Sequence, residues 1–126
     1  MIHTRTFEAL KLGLAVLTLS MLAVLGAAAL EPQRMDPPSG QTLARPPQHL
    51  RVFFDVLPDP AKSELELTGP GGEVQLEGLH TMGEDDLMIR IVGRLPDGEY
   101  TARWRATGTD GSTNQGEWKF VVKRGG

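Results

Sequence analysis

From residue 50 onward, apolar and polar side chains trade places at nearly every second position. Leu50, Val52, Phe54 and Val56 fall on one side of the chain, with Arg51 and Asp55 on the other. Leu65 and Leu67 alternate with Glu64 and Glu66, and Val74 and Leu76 with Glu73, Gln75 and Glu77. Leu87, Ile89 and Ile91 keep the same beat. Tyr100, Ala102, Trp104 and Ala106 alternate with Thr101, Arg103, Arg105 and Thr107, and Trp118, Phe120 and Val122 close the chain. Successive side chains of a strand point to opposite faces, so period two marks strands with one buried and one wet face.

Turn residues separate these segments. Pro58-Asp59-Pro60 breaks the first connection, Gly69-Pro70-Gly71-Gly72 makes a tight hairpin, Pro96-Asp97-Gly98 starts the penultimate strand and Asp110-Gly111 interrupts the last pair. Each supplies a fixed φ, a left-handed residue or a local hydrogen bond. The stretch 31–47 carries Pro32, Pro37, Pro38, Pro46 and Pro47 and cannot hold a helix, because proline removes donors and clashes with the preceding turn. It is expected as an extended lead-in over 30–47 with a short edge strand near Thr42–Ala44. No helical period follows residue 30. The pattern therefore predicts an all-β antiparallel sandwich of about seven strands, with Tyr100, Trp104 and Trp118 filling the space between two sheets.

The front of the chain differs. Arg5 and Lys11 precede an apolar run from Leu12 to Leu30 that ends in small residues, Gly26-Ala27-Ala28-Ala29. This is the layout of a secretory signal, with cleavage expected after Ala29. An uncleaved anchor is the rival, since the run approaches the length that spans a bilayer. Without residues 1–29 the chain keeps 97 residues, 11 basic and 15 acidic, a formal charge of −4. No basic stripe exists, which argues against nucleic acid as a partner. Cysteine is absent, so neither disulfides nor thiolate chemistry contributes, and the core alone must hold the domain.

No Ser-His-Asp pattern, phosphate loop or HExxH motif is visible, and no enzyme is expected. Glu84-Asp85-Asp86 reads as a solvated loop. Metal binding is the one chemistry with candidates. After residue 29 the only histidines are His49 and His80. His80 belongs to Leu79-His80-Thr81-Met82, and Met88 lies six residues past Met82. Imidazole with thioether suits cuprous copper. Met88 sits inside an alternating strand and is read as packing.

The end of the chain resembles the copper-resistance CopC family. The carrying residues are the Leu95-Pro96-x-Gly98 turn, the Tyr100 to Trp104 strand, the Asp110-Gly111 loop, then Gly116 and the aromatic strand through Trp118. Asp36 to Gly40, Pro46-Pro47, Phe53-Phe54 and the hairpin Leu65 to Gly72 extend the resemblance over about residues 35–123, and the domain is expected over 35–124. The resemblance implies an immunoglobulin-like Greek-key sandwich, export to the periplasm and copper as ligand. It also implies a cupric site built from a mature N-terminal histidine with its free amine, plus the aspartate and histidine of an Asp-Gly-His loop. By position these fall on Leu30, Asp110 and Ser112, so Asp110 is kept and both imidazoles are replaced. Pro32, third in the expected mature chain, removes an amide that an amino-terminal site would use. The cuprous loop of some members has His80, Met82 and Met88 as its remnant.

Two readings follow. In the first the chain is a non-catalytic periplasmic copper carrier with a degenerate site at Asp110, His80 and Met82, passing copper to a membrane or periplasmic copper-handling protein and touching the membrane only if the N-terminal segment stays. In the second it is an exported interaction module that binds no metal and uses an edge strand or the Arg103–Arg105 face. Those arginines are expected to pair across strands with Glu64, Glu66 or Glu117.

Overall fold

The computed structural model describes residues 30–125; the leader expected over 1–29 lies outside them. The strands are β1 (Pro32–Asp36), β2 (Thr42–Leu43), β3 (His49–Phe54), β4 (Glu64–Gly69), β5 (Gly72–Glu73), β6 (Leu76–His80), β7 (Asp86–Ile91), β8 (Gly98–Thr107) and β9 (Thr113–Val122), with one 3₁₀ turn at Pro60–Lys62. They form a four-stranded sheet in the order β1-β3-β7-β6 and a five-stranded sheet in the order β2-β9-β8-β4-β5. Every pairing is antiparallel except that of β2 with β9. Among the described residues no helix is long and apolar enough to cross a membrane.

The alternating pattern becomes the interior. Leu50, Val52 and Phe54 of β3 and Leu87 and Ile89 of β7 face Leu65 and Leu67 of β4 and Tyr100, Ala102, Trp104 and Ala106 of β8, with Trp118, Phe120 and Val122 of β9 completing the core. Aromatic rings line the interior, with Phe54 crossing from the four-stranded sheet to Trp104 and the other two pairs joining β8 to β9. Phe54 meets Trp104 edge-on at 6.4 Å between centroids, Trp104 tilts against Trp118 at 5.9 Å, and Tyr100 stacks on Phe120 at 5.5 Å. These geometries satisfy the ring quadrupoles as well as burying area. The polar ends are matched too. Tyr100 donates its hydroxyl to the Pro96 carbonyl at 2.5 Å, four residues upstream, as in the tyrosine corner of immunoglobulin-like sandwiches. Trp118 Nε1 donates to the Pro37 carbonyl at 2.9 Å and Trp104 Nε1 to Asn114 Oδ1 at 2.9 Å.

The proline-rich lead-in is more ordered than its composition implies. Pro32–Asp36 pairs with β3 as an edge strand, where a missing amide is tolerated. The segment after the 69–72 hairpin also serves two layers. Gly72 and Glu73 pair with β4, and by Leu76 the chain has crossed to pair with β7 in the other sheet.

The acidic run divides. Glu84 and Asp85 are exposed, but Asp86 is fully buried, against the expectation of a solvated loop. The alternation of β7 turns Leu87 and Ile89 inward, and the Asp86 carboxylate is enclosed because it organises the preceding turn. Its Oδ1 accepts from Thr81 Oγ1 at 2.9 Å and from the amides of Met82 and Glu84 at 3.0 and 3.2 Å. Its Oδ2 accepts from Arg51 Nε at 2.8 Å. Burial alone pushes this carboxyl up. The hydrogen bonds from Thr81, Arg51, Glu84 and Met82 outweigh it and hold the group below the ordinary carboxylate range.

Two predictions follow from this packing. A Cβ on Gly116 would lie 2.4 Å from Cζ2 of the Trp104 ring, which the core cannot move aside. Gly116→Ala is therefore expected to cost about 1–3 kcal/mol in denaturant unfolding. Because Asp86 has a lowered folded pKa, its contribution is complete above the ordinary carboxylate range. It fades as pH falls from about 4 through the folded value. Asp86→Asn should lower stability by about 1–3 kcal/mol at neutral pH and flatten the acid limb of the stability curve.

Candidate metal centre

The β8–β9 hairpin is the longest ladder in the molecule, in register from Gly98 opposite Val122 to Thr107 opposite Thr113. Residues 108–112 close it. Gly108 donates to the Ser112 carbonyl at 2.7 Å, and Gly111 donates to the Gly108 carbonyl at 2.9 Å with φ +87°. Within this turn Asp110 Oδ1 accepts the Ser112 amide at 3.0 Å and the Ser112 hydroxyl at 2.5 Å. The Ser112 hydroxyl, then the Ser112 amide, hold the Asp110 carboxyl below its ordinary range. One carboxylate oxygen is thus committed to the turn, as an Asx motif requires. Thr109 donates to the Leu57 carbonyl at 2.9 Å, which ties the loop to the chain after β3.

Residue 30 arrives at the same loop. Leu30 is fully buried, and its Cδ1 lies 3.5 Å from the point where a Cβ on Gly108 would sit. The next residue is locked in place: the Glu31 amide donates to Asp55 Oδ1 at 2.7 Å, and the Asp55 amide donates to the Glu31 carbonyl at 3.1 Å. The fold therefore brings position 30 and the 108–112 turn together. What meets there is an isobutyl side chain, a hydroxyl and a half-committed carboxylate. That donor set has no imidazole and does not fit a cupric site, whose nitrogen ligands outrank a lone carboxylate.

His80 and Met82 lie in the four-stranded sheet, on β6 and the turn after it. His80 is exposed, and Met82 is 57% exposed. Neither makes a hydrogen bond to Asp110. Residues 81–85 turn tightly, with Gly83 at φ +82° and Asp85 at φ +56°, and Asp86 pins them from beneath. Met88, read from the sequence as packing, is half-buried on the outer face, because Leu87 and Ile89 on either side of it take the core. The register sets His80 directly opposite Met88. His49 stands opposite Arg90, two residues along β7 from Met88, and Arg51 is the β3 residue opposite Met88. Among the described residues no three carboxylate or imidazole side chains converge as a metal-holding group.

The arginine face forms as expected. Arg103 is opposite Glu66 and Glu117, and Arg105 is opposite Glu64 and Gln115, on the outer side of the five-stranded sheet. The Arg103–Glu117 ion pair is long, at 4.0 Å. A second cationic feature escaped the sequence: the guanidinium carbons of Arg34 and Arg51 lie 4.1 and 4.3 Å from the centre of the Phe53 ring. Adjacent β1 and β3 bring them together, a pairing that needs the unforeseen edge strand.

The CopC domain family matches residues 33–123. Among solved structures the chain is similar to PcoC, a methionine-rich copper resistance protein from Escherichia coli. The TM-score is 0.68 and the identity 24%, over 76% of this chain and 100% of that one. It is also similar to CopC from Methylosinus trichosporium OB3b, with a TM-score of 0.67 and 20% identity over 77% and 96% of the two chains. No curated protein matches. Ser112→Ala should let the Asp110 carboxyl rise toward its ordinary value, as read by carboxyl carbon chemical shifts against pH.

Proposed function

The chain belongs to the CopC domain family, and from that premise we propose that it is a copper-resistance protein exported to the periplasm. It acts there as a non-catalytic carrier whose cupric site has degenerated. The family match over residues 33–123 carries the reading. The apolar run ending in Ala27-Ala28-Ala29 supports export. The degeneration rests on Leu30, which occupies the end of the sandwich where an amino-terminal ligand would meet the loop, and on Ser112, whose hydroxyl is spent on Asp110. Asp110 then serves the turn first and an ion second.

Such a protein has lost strong hold on oxidised copper and relies on other donors. The partner that receives the ion is a membrane or periplasmic copper-handling protein. The alternative, an exported interaction module built on Arg103 and Arg105, has less support, because the register already matches both arginines with carboxylates on β4.

Deleting the gene should lower tolerance to added copper, and a plasmid copy should restore it. Ser112→His should raise cupric affinity, followed by titration and electron paramagnetic resonance. Unchanged tolerance, together with a purified protein that binds neither cupric nor cuprous ion, would remove the carrier reading.

A further inference from the structure

We propose that the uncovered stretch of β4, residues 64–67, is a docking edge for an extended basic peptide of a partner protein, which adds to the five-stranded sheet as an antiparallel strand. This edge is independent of the copper reading and works with or without a bound ion.

Backbone direction is the first reason. β5 pairs only with Thr68 and Gly69, at the C-terminal end of β4, and among the described residues no other strand lies on that side. The Val74 amide donates to the Leu67 carbonyl at 2.8 Å, so the backbone groups of Leu67 turn away from β8. In an antiparallel ladder every second residue turns the same way, and Leu65 therefore aims its N–H and C=O outward as well. The edge is also straight. β4 pairs with β8 without a register shift from Glu64 to Thr68, and no proline or glycine interrupts that stretch, whereas the borders at β1 and β6 both carry shifts.

The second reason is a cleft. Past Glu73 the chain crosses from one sheet to the other and leaves an open cleft of about 440 Å³ beside the free part of β4. Leu65, Val74, Leu76 and Ile89 form its apolar walls. A strand laid beside Leu65 sends every second side chain into this space. Main-chain bonds then supply affinity and the cleft selects aliphatic residues.

The third is charge. Glu66 and Glu73 stand at the mouth of the cleft, and Glu64 shares the outer face with them. All three are exposed, and none belongs to an ion pair among the described residues. Arg103, opposite Glu66, makes its ion pair with Glu117 instead. An added strand brings its outward side chains within cross-strand reach of Glu64 and Glu66, where a cation is favoured and a carboxylate is not. The same rule disfavours a second copy of this chain, whose own β4 sets glutamate against glutamate. The occupant is thus a segment of another protein in which aliphatic and basic residues alternate.

The probe is a capped hexapeptide of alternating valine and lysine, added to the purified full-length protein and followed by amide nuclear magnetic resonance and hydrogen exchange. The Leu65 amide should shift, and exchange more slowly, as the peptide binds. A valine opposite Leu65 completes a hydrogen-bonded pair. Methylating the valine amides should therefore weaken binding about tenfold or more, and methylating the lysine amides should change it little. Glutamate in place of lysine should abolish binding. Glu66→Lys combined with Glu73→Lys, both at exposed positions, should weaken it about tenfold. A peptide of the same composition, with its lysines grouped at one end, controls for charge attraction alone. The edge is overturned by no binding of the alternating peptide, by equal binding of the grouped one, by equal effects of the two methylations, or by unchanged affinity in the double variant.

Discussion

Cohesion in this domain comes from aromatic rings clasped between two sheets, and nearly everything else is arranged to keep those rings dry. With no cysteine to staple it, the sandwich depends on Tyr100, Trp104, Trp118 and Phe120 packing together along β8 and β9, with Phe54 of the facing sheet set edge-on against Trp104. Each polar atom on the tyrosine and the two tryptophans has a partner, so burying them carries no orphaned donor. Gly69 and Gly116 yield space to Tyr100 and Trp104 at distances where any side chain would collide. The rings and the glycines are thus one device, and a larger residue at either glycine opens a gap between sheets.

A second constraint acts at the end of the sandwich. There the 81–85 turn is anchored to the buried carboxylate of Asp86, itself paired with the partly exposed Arg51, while the 108–112 turn is anchored to its own serine and to the chain after β3. Both carboxylates, Asp86 and Asp110, sit below their ordinary range because hydrogen bonds favour their charged form. They differ in what they can still do. Asp86 is sealed, whereas Asp110 is in contact with water and keeps one oxygen uncommitted to the turn.

Much of this was legible from residue order alone. The β8–β9 hairpin, the 69–72 turn, the inward faces of β3, β4 and β7 and the pairing of Arg103 and Arg105 with glutamates all follow from period-two alternation and turn chemistry, which are local signals. The missed features are those that depend on which strand lies beside which. Pro32–Asp36 looked like lead-in because proline hides an edge strand that needs few donors. Asp86 looked solvated because the fold wraps the 81–85 turn around its carboxylate and adds Arg51 from thirty-five residues away. Met88 looked like core because alternation fixes that neighbours face oppositely, without saying which set faces in. The approach of His80 to Met88 depends on a bulge, and one inserted residue leaves no mark in the alternation of either strand.

That same bulge has a colloidal consequence. A sheet edge with a straight run of free amides and carbonyls invites a second molecule to add a strand. Among the described residues there are four such borders, and each is interrupted. β2 and β5 are two residues long, β1 begins on a proline with a register shift, and β6 is kinked at Gly78. A cysteine-free domain is in this way discouraged from stacking edge to edge into fibrils.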